Sequence, residues 1–147
     1  MVIMGIDPGI KNTGVAIHNA LTDEIKCEVI NPFNLNDLYN QIVDLVTKHK
    51  PDIVVVEGTI KGFSKSPSSH LESRGAIVAA LQKIDVDYRE LTPPQWKKIL
   101  FGKGNISKTE VYRTIKQDGK WGQKIKGLNG HEIDALCLTL AYIAKIS

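Results

Sequence analysis

Met1-Val-Ile-Met-Gly-Ile-Asp-Pro-Gly-Ile10 is the stretch whose reading decides the rest of the chain. Val2, Ile3, Met4 and Ile6 read as a buried strand, Pro8-Gly9 as the turn that ends it. Asp7 is therefore an acid at the end of an apolar run, where a carboxylate rarely sits without a partner. No basic neighbour in sequence supplies one. Two other segments deliver acids at comparable places: Ile53-Val-Val-Val-Glu57 ends a second apolar strand, and Asp134 lies in an apolar C-terminal helix. Taken singly, Asp7 also reads as a turn residue capping its own backbone, and Glu57 as a strand-end acid. Together, three acids on three separate apolar elements point to one shared site for a divalent metal.

Outward from that strand, Gly14–His18 reads as a returning strand and Ile25–Ile30 as a third, with Asp23-Glu24 at the hairpin between them. From Asn36 to Lys48, Leu38, Ile42, Leu45 and Val46 have amphipathic-helix spacing, with Asn34 or Asn36 as the cap. Ile53–Val56 then reads as a parallel, centrally buried strand, because a strand–helix–strand unit requires one. Gly58–Ser69 has the composition of a loop. His70–Ile84 reads as a helix with an apolar stripe of Leu71, Ile77, Val78 and Leu81. A short strand over Val86–Leu91 follows, then a helix from Pro93 or Pro94 through Leu100. Gly102 and Gly104 break it. Ser107 and Glu110 form a capping-box pattern for the next helix. Lys116–Gly130 is polar and glycine-punctuated and reads as a mobile loop, and His131–Ile146 as the last helix, with Ile133, Leu136, Leu140 and Ile143 on its apolar stripe.

The 147 residues suit one well-buried domain over 1–147. Apolar and charged content, 42% and 24%, are ordinary for a globular protein. No apolar run approaches the roughly 18–20 residues of a membrane span, and the N-terminus lacks the pattern of a signal peptide. Cys27 and Cys137, the only cysteines, lie on apolar elements and read as reduced thiols, so the expected location is cytoplasmic. The net charge of +3 hides an asymmetry: residues 1–60 hold four Lys/Arg against eight Asp/Glu, and residues 61–147 hold fifteen against eight. Any one of these lysines reads equally as part of a solvated face. A basic half beside a carboxylate cluster nevertheless points to a phosphate backbone as partner.

The chemistry of the acids is specific. Mg²⁺ and Mn²⁺ prefer carboxylate oxygens and keep positions open for water and phosphate. Two such ions about 4 Å apart activate a water and stabilise the leaving oxygen of a phosphodiester. His131 lies three residues before Asp134, on nearly the same side of the helix, and is suited to bind metal or to handle a proton. Glu132 points elsewhere and reads as a first-turn acid that favours the helix dipole.

Several motifs in order give the chain a family resemblance. Gly5-Ile-Asp-Pro-Gly9 with Thr13-Gly14, Val56-Glu57, Arg74-Gly-Ala-Ile-Val-Ala-Ala80, Gly102-Lys-Gly-Asn-Ile-Ser-Lys108 and His131-Glu-Ile-Asp-Ala-Leu136 resemble the RuvC family of Holliday-junction resolvases, within the RNase H-like superfamily. The resemblance implies an α/β fold, with a five-stranded mixed sheet flanked by helices on both faces. It also implies a homodimer and Mg²⁺-dependent paired nicking of four-way DNA junctions that leaves a 5′-phosphate and a 3′-hydroxyl. Asp7, Glu57 and Asp134 match the family's catalytic carboxylates, and His131 stands where members carry aspartate or histidine. Lys108 matches a basic residue that contacts DNA near the scissile phosphate. Phe63 is the aromatic available in the loop from which members insert one into the junction. Lys61, Lys65, Arg74 and Lys103 would grip backbone with Lys108. Two ions per site are expected, with Mn²⁺ substituting for Mg²⁺. In the family the helix after that loop forms much of the dimer interface, while its stripe here reads equally as core. The residues name no branch-migration motor as partner.

Three other functions compete. A nuclease of broader specificity would cut flaps or forks as well as junctions. A non-catalytic junction-binding module would not need the full acid set. An actin-like phosphotransferase, which shares the Gly-Ile-Asp-x-Gly start, needs a second similar domain for which this length leaves no room.

Overall fold

The computed structural model describes residues 1–59 and 68–147. Its sheet has the order β3-β2-β1-β4-β5, with β1 (Val2–Asp7) at the centre. β2 (Thr13–Asn19) pairs antiparallel with β1, and β3 (Glu24–Ile30) antiparallel with β2. On the other side β4 (Ile53–Glu57) runs parallel to β1, and β5 (Tyr88–Leu91) parallel to β4. The expected five-stranded mixed sheet is therefore present. Strand alternation turns Met4 and Ile6 to one face, Ile3, Gly5 and Asp7 to the other.

The Met4 face is covered by α1 (Leu35–His49) and α2 (Ser68–Lys83). Leu38, Ile42 and Val46 of α1 join Ile77, Ala80 and Leu81 of α2 against Val15, Val54 and Val56. Asn34 is the cap of α1: its side chain accepts the Asp37 N–H, satisfying one orphan donor of the first turn. The α2 stripe differs from expectation. Leu71 is 48% exposed and Val78 half-buried, while Ser73 takes the buried position and donates its hydroxyl to the His70 carbonyl. The face that docks runs through 73, 77, 80 and 81, so apolar composition alone misplaced the first turn.

The opposite face carries α3 (Pro93–Phe101), α4 (Lys108–Gln117) and α5 (Gly130–Ile146). α5 lies across β1 and β2 and beneath α3, and is buried well beyond one stripe: Ile133, Ala135 to Thr139 and Ala141 are all enclosed. Leu140 and Ile143, expected on the stripe, are half-buried. The contact with the sheet is close because Gly5 and Gly14 have no side chains. A Cβ at Gly5 would overlap Thr139 Oγ1 and stand 2.7 Å from the Ala135 carbonyl, and one at Gly14 would overlap the His131 carbonyl.

The stretch between α4 and α5 is not the free loop its composition suggests. Ile125 is 2% exposed, and Trp121 and Leu128 pack on the same core. The ammonium of Lys120 lies 2.9 Å from Asp23 Oδ2, and that of Lys124 donates to the Asp23 carbonyl. Both lysines also stand over the Trp121 ring, 4.8 and 4.9 Å from its centre. Cys137 is buried, Cys27 half-buried, and both are free thiols.

Candidate active site

Sheet register sets the first two acids side by side. Ile6 of β1 is level with Val56 of β4, so Asp7 and Glu57 follow as neighbours at the same edge. Both point toward α5, as Ile3 and Ile53 do. The third acid comes from α5. Asp7 is paired with Gly14, and the first turn of α5 rests on Gly14, which places Asp134 in the field of Asp7. Asn129 starts that helix with a capping box: its side chain accepts from Glu132 N–H, and the Glu132 carboxylate accepts from Asn129 N–H. Glu132 thus serves the helix end, as the sequence suggested.

His131 lies at the rim, 43% exposed, with Nδ1 3.5 Å from Asp7 Oδ2. Lys108, the first residue of α4 after the Ser107 cap, holds its ammonium 3.4 Å from Asp134 Oδ2. So the four residues expected at the metal site, together with Lys108, are brought to one end of the sheet. Their neighbourhood includes a cleft of about 170 Å³ lined by Glu57, Pro93, Trp96, Lys97, Lys108, Val111 and Asp134. A larger open groove of about 670 Å³ lies at the β2–β3 turn but contains none of these acids. The smaller cleft is the one with the chemistry.

Sequence reasoning missed three residues of this site. The indole Nε1 of Trp96 donates to Glu57 Oε2 at 3.0 Å. The Lys97 ammonium stands 5.7 Å from the centre of the Trp96 ring, and its charge favours ionisation of both Glu57 and Asp134. Tyr112 donates its hydroxyl to the Gly130 carbonyl at the start of α5, and its ring lies 5.7 Å below the Lys108 ammonium. The Lys108–Tyr112 spacing of four on a helix was a visible signal. Trp96 and Glu57, 39 residues apart, offered none.

The acids disturb one another. Burial raises the Asp7 carboxyl, and the Asp134 charge raises it further, to about 7, against the pull of Lys108 and a hydrogen bond with Glu57. Burial and the Asp7 charge push Glu57 to about 8, although the Trp96 hydrogen bond opposes this. Asp134 is raised by burial, with Lys108 as the chief counterweight. Burial works against the Lys108 ammonium, but Asp134 and Tyr112 outweigh it and its pKa is raised. Among the described residues, no three His, Cys, Asp or Glu side chains are gathered closely enough to enclose an ion as they stand. The donor chemistry nevertheless fits a hard divalent cation: carboxylate oxygens from three elements, mutually repelling, at the mouth of a cleft.

This arrangement predicts an inverted pH dependence of stability. Asp7 and Glu57 keep protons in the fold that the unfolded chain has released by about pH 5. Their contribution is fully present below the unfolded values and is lost as pH rises through about 7 and 8. Melts in chelator are therefore expected to show a lower Tm at about pH 8 than at about pH 5, and divalent cation at the higher pH should restore it. A metal-free Tm that rises over this window would contradict the carboxylate coupling.

The expected DNA contacts are placed differently from one another. The Arg74 guanidinium is paired with Glu90 of β5 and is half-buried, so it braces α2 against the sheet instead of standing free. Lys103 is exposed on the turn between α3 and α4. Lys61, Phe63 and Lys65 lie outside the described residues.

A family model described as "Crossover junction endodeoxyribonuclease RuvC" matches residues 3–142. A protein of that name from Campylobacter concisus is 31% identical, covering all of both chains. One from Salinibacter ruber is 32% identical over 76% of this chain and 68% of its own. Among solved structures, Thermus thermophilus RuvC in complex with Holliday junction substrate superposes with a TM-score of 0.79, at 22% identity, covering 99% of this chain and 94% of that one. The fowlpox virus Holliday junction resolvase gives 0.63 at 16% identity, with both chains fully covered. At these identities the two structures bear on the fold.

Proposed function

The chain belongs to the RuvC family of crossover junction endodeoxyribonucleases, and on that premise we propose that it resolves four-way DNA junctions by paired, symmetric, metal-dependent nicks. The observation that carries this is the meeting of Asp7, Glu57 and Asp134, from β1, β4 and α5: sheet register sets Asp7 beside Glu57, and the Asp134 charge acts on both. It would act as a single nuclease domain in the cytoplasm, in keeping with its free thiols. Among the described residues, no helix is long and apolar enough to cross a membrane.

Two Mg²⁺ ions, or Mn²⁺ in their place, held by Asp7, Glu57, Asp134 and His131, would supply Lewis acidity at the scissile phosphate. Asp7, central and rigid on β1, is the ligand suited to be shared. Lys108 exchanges its contact with Asp134 for a phosphate oxygen when DNA enters the cleft. Lys97, which lines the same cleft, adds positive charge. His131, at the rim, would complete a metal shell or, when not ligated, pass a proton between the site and solvent. The products are a 5′-phosphate and a 3′-hydroxyl.

A four-way junction has two-fold symmetry, so paired nicks call for two copies of the chain related by the same axis. The exposed Leu71 on α2 gives such a dimer an apolar contact. The deciding experiment is nicking of an immobile four-way junction with Mg²⁺, beside linear duplex and flap controls. Symmetric cuts in the junction and little cutting of the controls are expected. Equal cutting of flaps would make it a branched-DNA nuclease of wider range, and binding without cutting a junction-binding module. Binding should weaken steeply with salt, since Lys61, Lys65, Lys103 and Lys108 would displace counterions from phosphates.

A further inference from the structure

We propose that Trp96 is a positioning residue for the metal site, fixing which oxygen of Glu57 is left to ligate. This rests on the reading of Glu57 as a metal ligand.

The observations come from two elements. Trp96 lies in the second turn of α3 and is 2% exposed. Its ring is fixed by how α3 begins. Leu91 of β5 is level with Glu57 of β4, and Thr92 caps α3 directly after it. The Thr92 side chain accepts from Gln95 N–H, the Gln95 side chain accepts from Thr92 N–H, and Pro stands in the first turn. The helix therefore starts beside Glu57, with its first turn held by the capping box. Indole N–H is a donor only, and buried in this core it has one acceptor, Glu57 Oε2 at 3.0 Å.

A carboxylate that ends a strand can rotate freely unless something holds it. The indole occupies Oε2 and leaves Oε1 for an ion. Groups that orient a ligand in this way change metal affinity or activity by about 10–100-fold when removed. The same ring carries the Lys97 ammonium on its face, so one side chain orders a ligand and a cation of the cleft.

The test separates the N–H from the bulk of the ring. Replacing Trp96 with benzothienylalanine keeps a bicyclic side chain of similar size and removes only the donor; Trp96→Phe is the simpler companion. The readout is Mn²⁺ binding to the whole protein by calorimetry, without DNA. The expected result is a Kd about tenfold higher or more with a melting curve like that of wild type. In a Glu57→Gln background the replacement of Trp96 should add nothing. A Kd within about twofold of wild type, or an equal loss in the Glu57→Gln background, would overturn the proposal. If wild type itself binds no Mn²⁺, the metal-site reading falls and takes this inference with it. If wild type binds and both Trp96 variants match it, only the inference falls.

Discussion

Asp7→Asn is expected to abolish junction cleavage while leaving junction binding within a fewfold of wild type. Asparagine keeps the volume and the position on β1 but removes the charge at the centre of the acid cluster. Losing several kcal/mol of transition-state stabilisation, at about tenfold in rate per 1.4 kcal/mol, amounts to a roughly thousandfold or greater drop in nicking. The same substitution should raise the Tm of the metal-free protein, because it removes a carboxyl that burial and Asp134 already hold near neutrality at about 7. That combination, more stable and inactive, is the signature of a functional acid. A variant that cuts at wild-type rate in Mg²⁺ would end the metal-site reading. One that melts well below wild type would show Asp7 to be a structural residue.

Gly5→Ala should strongly destabilise the fold, although it adds only one methyl. The new Cβ would overlap Thr139 Oγ1 and stand 2.7 Å from the Ala135 carbonyl. Neither can withdraw easily. Thr139 is fully buried and donates its hydroxyl to that same carbonyl at 2.8 Å, and the carbonyl belongs to the backbone of a helix enclosed by the sheet and α3. Overpacking of this kind costs about 1–3 kcal/mol, and a clash with backbone belongs at or above the upper figure. For a chain of this size that is a drop of roughly 10 °C in Tm. Adding Thr139→Ala should recover part of the loss, since it clears the hydroxyl but not the carbonyl. A Gly5→Ala protein that melts within about 2 °C of wild type would mean that α5 shifts off β1 more easily than the packing indicates.

What could be read from the chain divides along physical lines. β1 and β4 were legible because an apolar run closed by an acid is a local pattern, and the caps Asn34, Ser107 and Gly102 marked helix ends within one turn. Asp7, Glu57 and Asp134 were legible as a group because each broke an apolar element. Trp96 was not: in Leu-Thr-Pro-Pro-Gln-Trp-Lys-Lys a buried tryptophan looks like core, and its acceptor lies on another strand. The stripe of α2 failed at Leu71 because a helix with scattered apolar residues leaves its buried face to be decided by what packs on it. The stretch before α5 failed for the opposite reason. Its polar composition concealed Ile125, a single anchor that the Asp23 contacts with Lys120 and Lys124 reinforce. Arg74 looked like a free cation because Glu90, its partner, arrives from β5.

The position of α5 in the chain order has a consequence for how the protein comes to life on the ribosome. By the time residue 128 has emerged, the segments of β1 to β5 and α1 to α4 have been made, and pairing of β1 with β4 sets Asp7 beside Glu57. The nascent chain still lacks Asp134 and His131, and its α5 face still exposes Ile3, Ala16, Val55 and Trp96. One docking event then buries that surface and completes the acid set together. On the metal-site reading, the chain gains its cutting centre only when α5 docks, and any delay in docking leaves an apolar face open to aggregation.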